Sequence, residues 1–224
     1  MSDARADILG NIRRALGVTG SERIRNHAVD ERIERAPKGV IPARGQLDPE
    51  GRKALFRERA EAVQTTVDSV ARAEDVPEAV AAYLRANNLP ASLRIGADER
   101  LLAMPWEKTA IEVRNGPSDG HDLNAVSHAV GAAAETGTLV LTSGIDNPTT
   151  LNFLPDNHIV ILKAADIAGD YEAVWSRLRR IHGKGVLPRT VNYVTGPSRS
   201  ADIEQKLQLG AHGPRNLHVV IVES

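Results

Sequence analysis

Apolar residues fall three and four positions apart at Ile8, Leu9, Ile12 and Leu16, which places them on one stripe of a helix. Ser2 or Asp3 can cap its start, and Gly17 is well placed to end it. An amphipathic helix of this kind needs a covering surface: its own domain, a second copy of the chain in a homo-oligomer, or a partner protein. The stretch to about residue 47 mixes Arg, Glu, Gly and Pro without sustained periodicity, and Pro37, Gly39, Pro42 and Gly45 punctuate it. That pattern predicts an extended arm.

From Pro49 the pattern changes to alternating elements. Residues 50–64 read as a helix, 65–70 as a strand, 77–87 as a helix, and 93–96 and 111–113 as short strands. Thr138-Leu139-Val140-Leu141-Thr142 and His158-Ile159-Val160-Ile161-Leu162 are apolar enough for central strands. A helix over 170–181 precedes a strand over 190–194, and a last strand covers 217–222. Strands alternating with helices imply an α/β fold with a mostly parallel sheet flanked by helices on both faces. The expected organisation is an N-terminal helix and extended arm over 1–48 and one domain over 49–224, which suits a length of 224 residues.

Composition narrows the function classes. Hydrophobic residues make up 42% of the chain and aromatic ones only 3%, so the core must be built from Ala, Val, Leu and Ile. So few rings give no surface on which the bases of a single strand could stack. A formal net charge of −1 leaves no electrostatic footprint for nucleic acid or for an anionic membrane. The absence of cysteine removes disulfides, thiolate nucleophiles, Cys-ligated zinc and Cys-ligated iron–sulfur clusters from this chain. The polar start lacks the apolar core of a signal segment, and no stretch nears the roughly 20 apolar residues that span a bilayer. The expected setting is cytoplasmic, without membrane insertion.

In open α/β sheets ligands lie outside the carboxyl ends of strands, and that rule directs attention to three segments. One is 134–138 with the turn 142–150 that follows its strand; the others are 195–204 and 209–214. In the second, Gly196-Pro197-Ser198-Arg199-Ser200 offers backbone N–H groups, two hydroxyls and a guanidinium, which suits a phosphate or carboxylate at a helix start. The plainer reading is a turn in which Ser200 caps a short helix and Arg199 pairs with a nearby acid. Glu135 stands among Gly131-Ala132-Ala133-Ala134 and Thr136-Gly137-Thr138. A lone carboxylate there is either a nucleophile or general base tuned by desolvation, or a loop anchor that accepts backbone N–H bonds. His212 lies between small residues that let a substrate approach, whereas His121, His128, His158, His182 and His218 show no metal-ligand spacing. There is no P-loop and no dinucleotide fingerprint.

Taken together, these segments resemble the lactate utilization protein C (LutC/YkgG) family. The resemblance is carried by Ala134-Glu135-Thr136-Gly137-Thr138, Asp146-Asn147-Pro148-Thr149, Leu151-Asn152-Phe153-Leu154-Pro155, the run from Gly196 to Glu204, and Gly210-Ala211-His212-Gly213-Pro214 before a final strand. It covers roughly residues 49–224, and the opening helix also looks like the family's. Ser200 stands where Thr is commoner, and Ala134 follows Ala where a larger apolar residue is usual. The resemblance implies a LUD domain of the NagB/RpiA/CoA-transferase-like fold. It further implies a non-redox component of a lactate oxidation system, supporting conversion of L-lactate to pyruvate with two iron–sulfur partner proteins and no cofactor in this chain. Glu135 and His212 are then the catalytic candidates. Thr136, Gly137, Thr138, Asn147, Asn152, Ser198, Arg199, Ser200 and Asp202 are candidates to bind an anionic ligand, with no metal. Glu135, Ser198, Arg199 and His212 are expected in one cleft. Two alternatives stay open: an independent acyl/CoA-transferase-like or ATP-dependent ligase-like enzyme using Glu135, and a non-catalytic ligand-binding module.

Overall fold

The computed structural model describes residues 3–203 and 206–224, the side chains of 200–203 and 206–209 excepted. Two compact units divide the chain, Met1–Gly39 and Val40–Ser224. In the first, α1 (Ala4–Leu16) is capped by the Asp3 carboxylate, which accepts the Arg5 N–H, and it ends at Gly17 in the left-handed conformation. A second helix, α2 (Arg23–Arg35), occupies part of the stretch expected as an extended arm. Neither Gly nor Pro interrupts residues 21–36, and the Glu31–Arg35 ion pair spans one turn, so a helix forms without an apolar stripe. Residues 40–48, assigned to the arm by pattern, go with the second unit.

The second unit opens with α3 (Pro49–Ala62), where Pro49 follows the capping carboxylate of Asp48. Then come β1 (Thr66–Val70), α4 (Val76–Ala86), β2 (Ser92–Ile95), α5 (Glu99–Leu102), β3 (Glu112–Asn115) and β4 (Asn124–His128). The chain continues through β5 (Gly131–Ala133), β6 (Thr138–Thr142), β7 (Asn157–Lys163), β8 (Ile167–Ala168), α6 (Tyr171–His182) and β9 (Val191–Val194). It finishes with β10 (Arg199–Ile203), β11 (Lys206–Leu209) and β12 (Asn216–Val222).

A six-stranded sheet, all parallel, runs in the order β1-β12-β7-β4-β2-β3. The mostly parallel sheet read from the pattern is therefore present, but β6 is not one of its central strands. It pairs antiparallel with β5 and β9 in a separate four-stranded sheet of order β8-β5-β6-β9. The residues after Arg199 form a hairpin of β10 and β11 rather than a short helix.

Burial on both faces explains the apolar runs. Along β7, Val160 and Leu162 point to a core shared with Phe56 of α3, Leu139 and Leu141 of β6, and Val219 of β12. Ile159 and Ile161 point the other way, into a core with Val80 and Leu84 of α4, Ile95 and Trp106. The outer face of the small sheet, with Val140, packs on Val174 and Leu178 of α6. Layers therefore stack in the order helix, large sheet, small sheet with α3, helix. Leu162 is wholly buried and Leu16 of α1 is 65% exposed. Leu162→Ala is expected to lower the unfolding free energy by about 2–5 kcal/mol, whereas Leu16→Ala changes it by no more than about 0.5 kcal/mol. Urea unfolding of the two variants checks this.

Candidate functional site

Glu135 is placed by the small sheet. The Ala134 and Glu135 N–H groups donate to the carbonyls of Ala168 and Gly169, which extends the β5–β8 pairing by two residues. Gly137 then turns the chain into β6 at a φ of 68°. A Cβ there would come within 2.5 Å of the Ala60 nitrogen in α3, so the turn and the helix approach as closely as they do because position 137 is glycine.

Glu135 is only 4% exposed. One carboxylate oxygen accepts the N–H of Tyr171, the first residue of α6, at 3.3 Å. A carboxylate is favoured at a helix N-terminus, where the N–H groups lack partners within the helix. The other oxygen, Oε2, is buried and has no hydrogen bond; the guanidinium of Arg44 lies 3.5 Å from it. Arg44 is held by a 3-10 turn, Ala43–Gly45, whose last residue packs so closely on Gly169 that a Cβ on either glycine would overlap the other's carbonyl. Gln46 adds a bond from its amide to the Asp170 carboxylate at 2.8 Å, and Asp170 in turn caps α6 by accepting the Ala173 N–H.

Hydroxyl groups continue from this point. The Thr136 and Thr138 hydroxyls lie 2.7 Å apart and each is 2.8 Å from the Tyr171 phenol, while Thr138 also meets the Thr195 hydroxyl at 2.6 Å. Beyond Thr195 a cleft of about 430 Å³ is lined by Ala62, Val63, Gln64, Thr195, Pro197 and Arg199. The Tyr193 phenol packs at an angle to the Tyr171 ring; burial, with a smaller repulsion from Tyr171, pushes it up to about 12.

The other candidates separate into two further groups. Ser198 and His212 meet through the backbone, the His212 N–H donating to the Ser198 hydroxyl at 3.2 Å, while residue 212 itself is exposed. Their loops are not at the carboxyl ends of the large sheet, since 210–214 leads into the amino end of β12 and Ser198 bonds to Pro214 there. Asn147 and Asn152 both reach Ser127 of β4, whose hydroxyl donates to the Asn147 side-chain oxygen at 2.9 Å and lies 3.4 Å from that of Asn152. That donation leaves the Ser127 oxygen to accept from His158 Nε2 at 3.0 Å, so Nε2 carries the imidazole proton. This knot is buried and holds the loop after β6 against β4 and β7. Among the described residues no hydrogen bond or ion pair joins Glu135 to Ser198, Arg199 or His212. The side chains of Ser200 and Asp202 lie outside the described residues.

The crevice at the strand-order reversal, between the carboxyl ends of β2 and β4, is filled by the chain itself. Ala97 donates to the Ile145 carbonyl, and a Cβ on Gly96 would overlap the Asp146 carbonyl. Buried Asp98 lies there; burial pushes its carboxyl up, but the Arg100 guanidinium bound to it wins and holds it below the usual range. Sequence reasoning missed Arg44, Ser127, His158, Tyr171 and Thr195. Only Tyr171, at a helix start, carries a local signal of position. Among the described residues no group of three His, Cys, Asp or Glu side chains is placed to hold a metal, and no helix is long and apolar enough to cross a membrane.

Residues 124–222, which contain both the Glu135 turn and β12, match the LUD domain family. A solved structure of a duf162 family protein from Deinococcus radiodurans shares the fold, with a TM-score of 0.58 over 79% of this chain and 99% of that one, at 22% identity. Over that segment the chain is similar to LUD-domain proteins. It is 35% identical to lactate utilization protein C of Geobacillus thermodenitrificans over 126 residues, 53% of this chain and 52% of the relative. It is 38% identical to that of Bacillus subtilis over 90 residues, 40% of this chain and 38% of the relative. The chain spans about half the length, or less, of these curated relatives in the matched region.

The buried histidines set a pH dependence. Burial pushes His158 down to about 4, and it pushes His218 to about 4 against smaller opposing effects of Asp68 and Thr66. Both are neutral when folded, whereas in the unfolded chain they titrate near 6.5. Above that value neither state binds the proton and stability is full. As pH falls from 6.5 towards 4 the unfolded chain gains protons that the folded one refuses, and stability falls. Melting curves between pH 7.5 and 4.5 should show the decline, and His158→Gln should make it shallower; an unchanged slope would show that His158 does not stay neutral.

Proposed function

We propose that this chain is the non-redox component of a lactate utilization system, acting with iron–sulfur partner proteins in converting L-lactate to pyruvate. The observation that carries the reading is the Glu135 turn, a buried carboxylate with one oxygen free of hydrogen bonds inside the segment that matches the LUD domain. Supporting it, the relatives matched over that segment are named for lactate utilization. Oxidising lactate to pyruvate releases two electrons and two protons, and the electrons need a redox group to receive them. These 224 residues contain no cysteine, so Cys-ligated clusters reside in the partners. In this reading Glu135, Thr136 and Thr138 form the ligand-facing end of the site. Arg199 offers an anion contact at the rim of the adjoining cleft, and Ser198 and His212 shape the neighbouring loop. The same unpaired oxygen also suits a second reading, attack of the Glu135 carboxylate on a thioester carbonyl with the thiolate leaving. That reading requires an acyl mass increase on Glu135 after incubation with a CoA thioester.

The direct test is reconstitution. The purified chain alone is expected to give no lactate-dependent reduction of an artificial acceptor dye. The two iron–sulfur partners with this chain should reduce it, and leaving the chain out should lower or abolish the rate. Full activity from the partners without it contradicts the proposal, as does turnover by the isolated chain.

A further inference from the structure

We propose that Glu135 and Arg44 together form a binding site for a small 2-hydroxy carboxylate, one that accepts the hydroxy acid and disfavours the 2-oxo acid derived from it. The inference rests on the lactate reading above for the choice of ligand; the geometry that suggests it does not. Glu135 Oε2 is buried and without a donor, and the Arg44 nitrogen nearest to it, at 3.5 Å, is farther than a good charge-assisted bond. A buried acceptor left unpaired is unfavourable, so a donor arriving there is rewarded. Arg44 supplies the complementary half. Its side chain is 58% exposed and, among the described residues, makes no other ion pair, so its outward N–H groups are open to an anion.

The two needs are adjacent, and a 2-hydroxy acid meets both at once. Its hydroxyl and carboxylate sit on neighbouring carbons, so one molecule can donate O–H to Glu135 Oε2 while its carboxylate meets the guanidinium. A plain carboxylate such as propionate offers the anion without the donor. A 2-oxo acid such as pyruvate puts a second acceptor where Glu135 needs a hydrogen, and the two oxygens repel. Entry requires the guanidinium to move, not its backbone, because Gly45 and Gln46 hold the turn to Gly169 and Asp170. Hydrogen bonds from the site to α6 run through the Tyr171 N–H and phenol, so the elements that frame the pair stay fixed while one side chain adjusts.

Titration calorimetry on the full chain with L-lactate, propionate and pyruvate tests this. The unaltered protein should bind L-lactate at least about tenfold more tightly than either of the others, the margin expected of one charge-assisted hydrogen bond. Glu135→Gln should bring lactate down to the level of propionate and leave propionate unchanged. Arg44→Gln should weaken lactate and propionate alike by about tenfold, with Arg44→Lys recovering part of the loss. Melting curves report whether each variant folds. If Glu135→Gln does not, the three-ligand ranking and the exposed Arg44 variants decide alone. Equal affinity for the three acids, no binding of L-lactate, or an Arg44→Gln variant that binds like the unaltered protein overturns the proposal. Absent lactate binding with dye reduction still dependent on this chain overturns only this inference. Loss of that dependence overturns the lactate-utilization reading whatever the calorimetry gives.

Discussion

Leu139 and Leu141 of the small sheet press against Val160, Leu162 and Val219 of the large one, and this apolar contact fixes where everything else can lie. A parallel sheet leaves both faces to be covered. Here helices cover one face, while a second sheet and α3 cover the other. The second sheet then has an outer face of its own, which α6 closes through Val174 and Leu178. The start of α6 is thereby brought to the end of β5, and that junction is where Glu135 stands. The site is a consequence of stacking, not of any one motif.

Close backbone approach sharpens the placement. Gly137 lets the β5–β6 turn sit against α3, and the Gly45–Gly169 contact brings Arg44 alongside. A carboxylate held between a helix start and a half-exposed guanidinium stays paired on one oxygen and open on the other. In the Asn147–Ser127–His158 knot the Ser127 hydroxyl, the Asn147 amide and His158 Nε2 bond to one another and to the loop they anchor, which gives them a structural part, while His158 Nδ1 stays buried without a partner. The carboxyl-end crevice at the strand reversal, the usual place for a ligand in such sheets, is occupied by the chain.

Legibility in the sequence followed signal strength. The strand at 158–162 and the helix at 170–181 announce themselves by an unbroken apolar run and by a stripe, and both are present. β5 is Gly-Ala-Ala and β8 has two residues, too short to show any period, so the second sheet was invisible and β6 was placed in the wrong one. β4 hides for another reason: Asn124, Ser127 and His128 are polar yet buried, with Asn124 bonded to the carbonyls of Pro90 and Ser92. α2 forms on propensity without a stripe. Glu135 stood out by its small neighbours. Arg44 did not, because it sits in a Pro- and Gly-punctuated stretch, and nothing local ties it to a carboxylate 91 positions away. Tyr171 is likewise 36 residues from the carboxylate it serves.

The claim that this junction receives a hydroxy acid is tested most directly by nuclear magnetic resonance on the isotopically labelled chain. On titration with L-lactate, the Tyr171 backbone amide and the Arg44 side-chain Nε–H should shift together and saturate at one ligand concentration, because the first is bonded to Glu135 and the second belongs to the guanidinium whose Nη2 lies 3.5 Å from it. Pyruvate should leave both in place over the same range. Shifts confined to resonances elsewhere, or the same response to both acids, would contradict the account.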